Sequence, residues 1–99
     1  MPDPAGPIKV IIPEAEQKTR AANFVQVSVN AEEFLVHFVH IDYVRRTGIA
    51  QARLSLPPRI AKEMMKALGR MIDSYEKKFG DIRPPEEPEP KIGFDLPGK

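Results

Sequence analysis

Proline placement sets the outer limit on what this chain can fold into. Nine of its eleven prolines lie in residues 1–13 and 84–97. Proline removes a backbone donor and clashes inside a helix or a sheet centre, so regular structure is confined to about residues 18–80. The 99 residues then read as three parts: a proline-rich arm at 1–17, a sheet-plus-helix domain at 18–80, and a Pro/Glu-rich flexible tail at 81–99. A domain of about 60 residues buries only about 60% of its unfolded surface and is marginal on its own. The chain has no cysteine, which removes disulfides and thiolate-bound metals as staples. Self-association is the ordinary route that remains.

Within the central part, residues 58–80 carry the clearest pattern. At 100° per residue, Ile60, Ala61, Met64, Met65, Leu68, Met71, Ile72, Tyr75 and Phe79 fall in one arc roughly 140° wide. Arg59, Lys62, Glu63, Lys66, Arg70, Asp73 and Lys77 take the opposite side. Pro58 suits a first helical position, where its missing N–H would be an orphan in any case. Gly80 stands where a left-handed cap usually ends a helix. The spacing predicts one amphipathic helix over 58–80.

Upstream, the period changes to two. A first strand is expected over about Ala21–Val29, with Asn23, Val25, Val27 and Val29 on one face and Phe24, Gln26 and Ser28 on the other. Asn30-Ala31-Glu32-Glu33 supplies a hairpin turn. The second strand, Phe34–Tyr43, places Phe34, Val36, Phe38 and His40 on one face and Leu35, His37, Val39, Ile41 and Tyr43 on the other. Both faces are apolar, unlike a strand with one solvated face. One helix covers one face of a small sheet, so a partner subunit is expected over the second. Val44–Gly48 reads as a turn, with Gly48 available for a positive φ. A third strand follows at about Ile49–Leu56, where Ala50, Ala52, Leu54 and Leu56 alternate with Gln51, Arg53 and Ser55, and Pro57-Pro58 ends it. In the arm, Ile8–Ile12 is a candidate edge strand between prolines. In the tail, Ile92–Leu96 is a short apolar cluster able to dock on a protein partner.

The residues Ala22-Asn23-Phe24-Val25-Gln26-Val27-Ser28, followed by Glu32-Glu33-Phe34, match the first half of a known pattern. Ala52-Arg53, Pro58, Ala61-Lys62, Leu68, Ile72, Tyr75-Glu76 and Phe79-Gly80 match its second half. Over about residues 20–80 the chain resembles a family of small prokaryotic proteins catalogued as a domain of unknown function. Three positions depart from the pattern: His37 replaces an aspartate, Pro57 replaces a helix-capping serine, and Met71 replaces an asparagine. The resemblance implies a small sheet with one long helix, dimeric or higher, and brings no catalytic residue or ligand. A looser likeness, at the level of fold alone, is to export chaperones whose sheet-plus-helix protomers tetramerise and hold unfolded chains.

Candidate chemistry is sparse. His37 and His40 are the only histidines. Three apart in a strand, they point to opposite faces, and zinc needs more ligands than two. Ordinary packed or hydrogen-bonded histidines explain them. Glu32 and Glu33 share a solvated turn with nothing to separate their pKa values. Ser28, Ser55 and Ser74 lack a local base or a nucleophile elbow, and no phosphate loop, dinucleotide fingerprint or calcium loop occurs. The chain is expected not to be an enzyme and to need no cofactor or metal. Lys62, Lys66 and Arg70 stack at intervals of four, with Asp73 placed to pair with Arg70 or Lys77. With Arg59 and Lys77 they outline an anion or nucleic-acid patch, but a solvated charged face is the stronger explanation. Residues 1–80 hold 12 basic and 9 acidic side chains, a weak excess for binding nucleic acid.

No apolar run reaches the ~18 residues of a membrane span, and no secretory leader is visible. The expected location is therefore cytoplasmic, with no membrane partner. The sequence thus predicts an α+β domain: a small antiparallel sheet of three to four strands in the order β-β-β-α. It associates as a homodimer or homotetramer through Phe34, Leu35, Val36, Phe38, Val39, Ile41, Met64, Leu68, Met71 and Tyr75. The expected role is a non-enzymatic binding or adaptor protein. The alternatives are a nucleic-acid-associated protein using the basic helix face and a chaperone-like holder of apolar segments.

Overall fold

In the computed structural model, which describes residues 5–84 and 91–97, the order of elements is the expected one. Strands β1 (Phe24–Val29), β2 (Phe34–Asp42) and β3 (Thr47–Leu56) form one antiparallel sheet with β2 in the centre, and helix α1 spans Pro58–Phe79. The fold is α+β. The chain divides into two units, Met1–Lys62 with the sheet and Glu63–Lys99 with most of α1.

Both hairpins begin at an Asx residue, whose short side chain imitates a backbone turn. Asn30 Oδ1 accepts from the N–H groups of Glu32 and Glu33, each at 2.9 Å, and the Asn30 N–H donates to Glu33 O at 3.0 Å. Asp42 Oδ1 accepts from Val44 N at 3.0 Å and Arg45 N at 3.1 Å. The second turn is tighter than expected, so β3 starts at Thr47. Its positive φ falls on Arg46 (59°), not on Gly48. Gly48 is needed for another reason. A Cβ there would lie 3.0 Å from Val39 Cγ1 and 3.4 Å from Ile41 Cγ1, so its bare backbone makes room for two of the three apolar side chains that are buried among the described residues.

β1 begins three residues later than expected, and Asn23 explains the offset. Its N–H donates to Val39 O at 3.0 Å. Its side-chain amide then takes over the ladder: Nδ2 donates to Ile41 O at 3.0 Å, and Oδ1 accepts from Ile41 N at 2.7 Å. In strict register the main chain of Ala22 would have paired with Ile41. The side chain substitutes for it, so both polar groups of a buried residue are satisfied without another strand residue.

A bulge interrupts β2–β3 between Phe38 and Val39: Ala52 pairs with Phe38 and Ala50 with Val39, leaving Gln51 as the extra residue. The bulge reverses the facing of β3 beyond it. Ala50 therefore joins Val39 rather than Ala52, and Ile49 pairs with His40, which corrects the simple alternation expected for this strand. Ile8–Ile12 forms no strand, and Ile8 is 90% exposed. Pro7 and Pro13 bracket the run and remove the ladder donors at both of its ends. The sheet accordingly has three strands, and the only other element in the described arm is a single 3-10 turn at Glu14–Glu16. Residues 85–90, in the Pro/Glu run of the tail, lie outside the described residues.

Helix α1 starts on Pro58 with Ala61 N donating to Pro57 O at 3.0 Å, so a backbone carbonyl opens the ladder without a capping serine. It ends at Gly80, whose φ is 93° and whose N–H donates to Glu76 O at 2.9 Å, the left-handed cap that its position predicts.

Two substitutions test this architecture. Asn23→Ala leaves the Ile41 N–H and C=O without their partners and is expected to cost about 1–3 kcal/mol. Gly48→Val forces new methyl groups against Val39 and Ile41 and is expected to cost about 1–3 kcal/mol. Urea unfolding followed by circular dichroism reads both, and wild-type midpoints in both variants would contradict the roles assigned to these residues.

Candidate functional site

Register sorts the sheet into two unlike faces. On the first, three successive rows are wholly apolar: Val29–Phe34–Leu56, Val27–Val36–Leu54 and Val25–Phe38–Ala52. The centre of this face is closed, with Val36 only 2% exposed, but its edges are open: Val27 is 52% and Val29 63% exposed. Phe34 and Phe38 are half-buried. An apolar β1 edge that faces water is unusual, because a solvated sheet face normally carries polar residues.

The second face is mixed. Val39 and Ile41 are buried on it and Leu35 is half-buried. Across its middle runs a polar row, Gln26–His37–Arg53. His37 is buried, at 7% exposed, and accepts a hydrogen bond at Nδ1 from Arg53 Nε at 3.3 Å. Gln26 Oε1 is buried without a hydrogen-bond partner. One row along, the Ser55 hydroxyl donates to the Glu33 carboxylate. The bulge carbonyl of Gln51 accepts from Arg20 Nη1 at 3.2 Å, and Arg20 also pairs with Glu16 at 3.1 Å. His40 lies on the opposite face and is exposed, so the two histidines are separated as their spacing predicts. No group of three or more His, Cys, Asp or Glu that could hold a metal occurs among the described residues.

Helix α1 is amphipathic as expected, yet none of its residues is buried. Met65 is 64% exposed and Leu68 57%, and Met64, Met71, Ile72, Tyr75 and Phe79 are exposed as well. Every buried apolar side chain among the described residues (Val36, Val39 and Ile41) belongs to β2. Tyr75 and Phe79 pack ring to ring at 5.0 Å, and Lys78 Nζ sits 5.3 Å from the Phe79 ring centre. On the polar side Arg59, Lys62, Lys66, Arg70 and Lys77 are all exposed. Asp73 makes no ion pair with Arg70 or Lys77 among the described residues. In the tail, Ile92 is half-buried while Phe94 and Leu96 are exposed.

The ten residues expected to associate thus divide three ways. Val36, Val39 and Ile41 are buried, Phe34, Leu35 and Phe38 are half-covered, and the helix positions Met64, Leu68, Met71 and Tyr75 lie open. The sequence reading missed the roles of Asn23, Gly48 and the Gln26–His37–Arg53 row. Asn23 alone had a visible sign, an amide at the mouth of a valine-rich strand.

This is a small three-stranded β-β-β-α protein with exposed apolar residues along β1 and along its helix. Residues 1–84 match the family described as protein of unknown function (DUF3467), and the chain belongs to it. No curated protein and no solved structure matches the chain. No helix among the described residues is long and apolar enough to cross a membrane.

Gln26→Met tests the polar row. Removing a buried acceptor that has no partner is expected to raise stability by about 1 kcal/mol, read as a higher urea midpoint. A loss of similar size would contradict the assignment of Gln26 Oε1 as unsatisfied.

Proposed function

We propose that the protein is a non-enzymatic binding or adaptor protein whose working form is a homo-oligomer, a dimer or tetramer built through its apolar sheet face and helix stripe. The observation that carries this reading is the 22-residue helix with a continuous apolar stripe and no buried residue. A core of three side chains is small against the backbone entropy lost in ordering about sixty residues. Exposed apolar surface of this extent on a small protein marks an association site, and the residues that carry it are helix and strand residues held in regular structure.

A second reading has its own observation. Met64, Met65 and Met71 stand exposed on the stripe, and methionine suits surfaces that accept varied apolar partners. A holder of apolar protein segments would use the same stripe. The basic face of α1 is open too, but it carries no exposed aromatic ring interleaved with its charges, which single-strand binding relies on.

Sedimentation velocity on two variants tests the reading. Leu68→Glu puts a charge in the middle of the stripe and is expected to shift the protein to an 11.1 kDa monomer or to weaken association at least about tenfold, since an unpaired charge is costly to bury. Lys66→Glu, on the polar face, is expected to leave the assembly unchanged. Equal masses for wild type and Leu68→Glu would overturn the proposed role of the stripe. Binding of a model apolar peptide that competes with self-association would favour the holder. Nucleic-acid binding that falls steeply with salt would favour the basic face.

A further inference from the structure

We propose that two copies meet along the outer edge of β1: the strand pairs antiparallel with β1 of a second copy about a two-fold axis at Val27, and the two three-stranded sheets become one. This pairing rests on the self-association reading and names the part of the sheet that joins.

The two outer edges of the sheet are built differently. β1 and β3 flank β2, so each presents a row of main-chain groups that no neighbouring strand takes up. On β3 the bulge at Gln51 interrupts that row, Arg20 already bonds the Gln51 carbonyl at 3.2 Å, and Arg53 puts a charge on the strand. Bulges, charges and covered groups keep edge strands from pairing. β1 has none of these guards: Phe24–Val29 contains no charge and no proline, and its register against β2 is unbroken. The bonds at its two ends show which of its groups point outward. Asn30 N–H donates to Glu33 O, Asn23 N–H donates to Val39 O, and the Asn23 amide holds both main-chain groups of Ile41. The odd-numbered residues of β2 therefore aim their main chain at β1, where Phe24, Gln26 and Ser28 are the register partners of Val39, His37 and Leu35. The alternation of an antiparallel ladder then turns the N–H and C=O groups of Val25, Val27 and Val29 outward. No hydrogen bond takes up these outward groups among the described residues, and each of the three valines is more than half exposed.

The residues of β1 select a second copy as the occupant. Val25-Gln26-Val27-Ser28-Val29 has the same kind of residue at equal distances on either side of Val27. An antiparallel strand that meets itself makes an isologous contact, in which one patch serves both partners. The outward groups fix the register: Val27 stands opposite Val27 of the second copy and Val25 opposite Val29, each pair exchanging both of its hydrogen bonds. A slip of one residue would set outward groups against inward ones. Side chains then match by face. Valine meets valine on the apolar face, Gln26 meets Ser28 on the other, and no like charges are opposed. The apolar row Leu54–Val36–Val27 continues into Val27–Val36–Leu54 of the second copy, so the valines left open at the edge gain apolar neighbours.

The chain lacks cysteine, so one introduced thiol in the full-length protein reports one position. Under mild oxidation Val27→Cys is predicted to give a disulfide-linked species at twice the 11.1 kDa chain mass. Facing Cα atoms of a hydrogen-bonded pair lie about 5.5 Å apart, within disulfide reach. Val25→Cys and Val29→Cys each stand about 14 Å from their own counterpart, four residues along the strand, and are predicted to link weakly alone. Differently tagged, unfolded, mixed and refolded together, these two are predicted to give a strong band that carries both tags. Leu54→Cys, on β3, controls for chance collision and is predicted to link weakly, alone or mixed with Val27→Cys. Circular dichroism checks that the reduced variants are folded, and the Val25/Val29 mixture reads the register independently of the Val27 variant. Links at Leu54 as strong as those at Val27, or a Val25–Val29 link no stronger than either variant gives alone, would overturn the edge pairing. Light scattering on the wild type and the reduced variants separates the two levels. An oligomer without the register-specific links defeats the edge pairing alone, and a monomeric wild type defeats the self-association reading beneath it.

Discussion

The structure depends on β2. It is the only strand hydrogen-bonded along both edges, and it carries all three buried apolar side chains among the described residues. Each neighbouring feature accommodates it. Asn23 lends a side chain to satisfy the backbone of Ile41, and Gly48 withholds a Cβ so that Val39 and Ile41 can pack. The bulge at Gln51 re-aims β3 beside Val39. The two Asx turns hold β1 and β3 in register against it. A strand that is apolar on both faces needs cover on both, and three strands of this length provide little of it.

The elements legible in the sequence were those set by a local period or a local cap. Helix α1 could be read because its 3.6-residue repeat persists over six turns and Pro58 and Gly80 mark its ends. β2 could be read as doubly apolar because strand side chains alternate strictly. The Asn30 turn could be read because the Asx residue and the N–H groups it accepts from are close in sequence. What escaped depends on pairing between distant segments. The bulge at Gln51 is fixed by the register of β3 against β2, which composition does not encode. For the same reason Gly48, which has the look of a turn glycine, proves to be a strand glycine under two core side chains, and the left-handed residue is Arg46. Asn23 counted as one more strand residue because its amide acts on a carbonyl and an amide 18 positions away.

The candidate site was legible in outline and not in its balance. The apolar residues of β2 and α1 were identified as association positions, yet periodicity alone does not tell a covered stripe from an open one. The structure separates them, with β2 buried and the stripe open. It also makes the two sheet faces unequal. One is apolar through three rows, and the other is crossed by Gln26, His37 and Arg53, where a buried acceptor still lacks a donor. The features that the structure brings out in this member of the DUF3467 family are its surfaces and their polarity.

Static light scattering on the full chain over a wide range of micromolar concentrations tests the central claim most directly. The account predicts a mass of twice the 11.1 kDa chain or a higher even multiple, with dissociation only on dilution. A single folded species at 11.1 kDa throughout that range would contradict it.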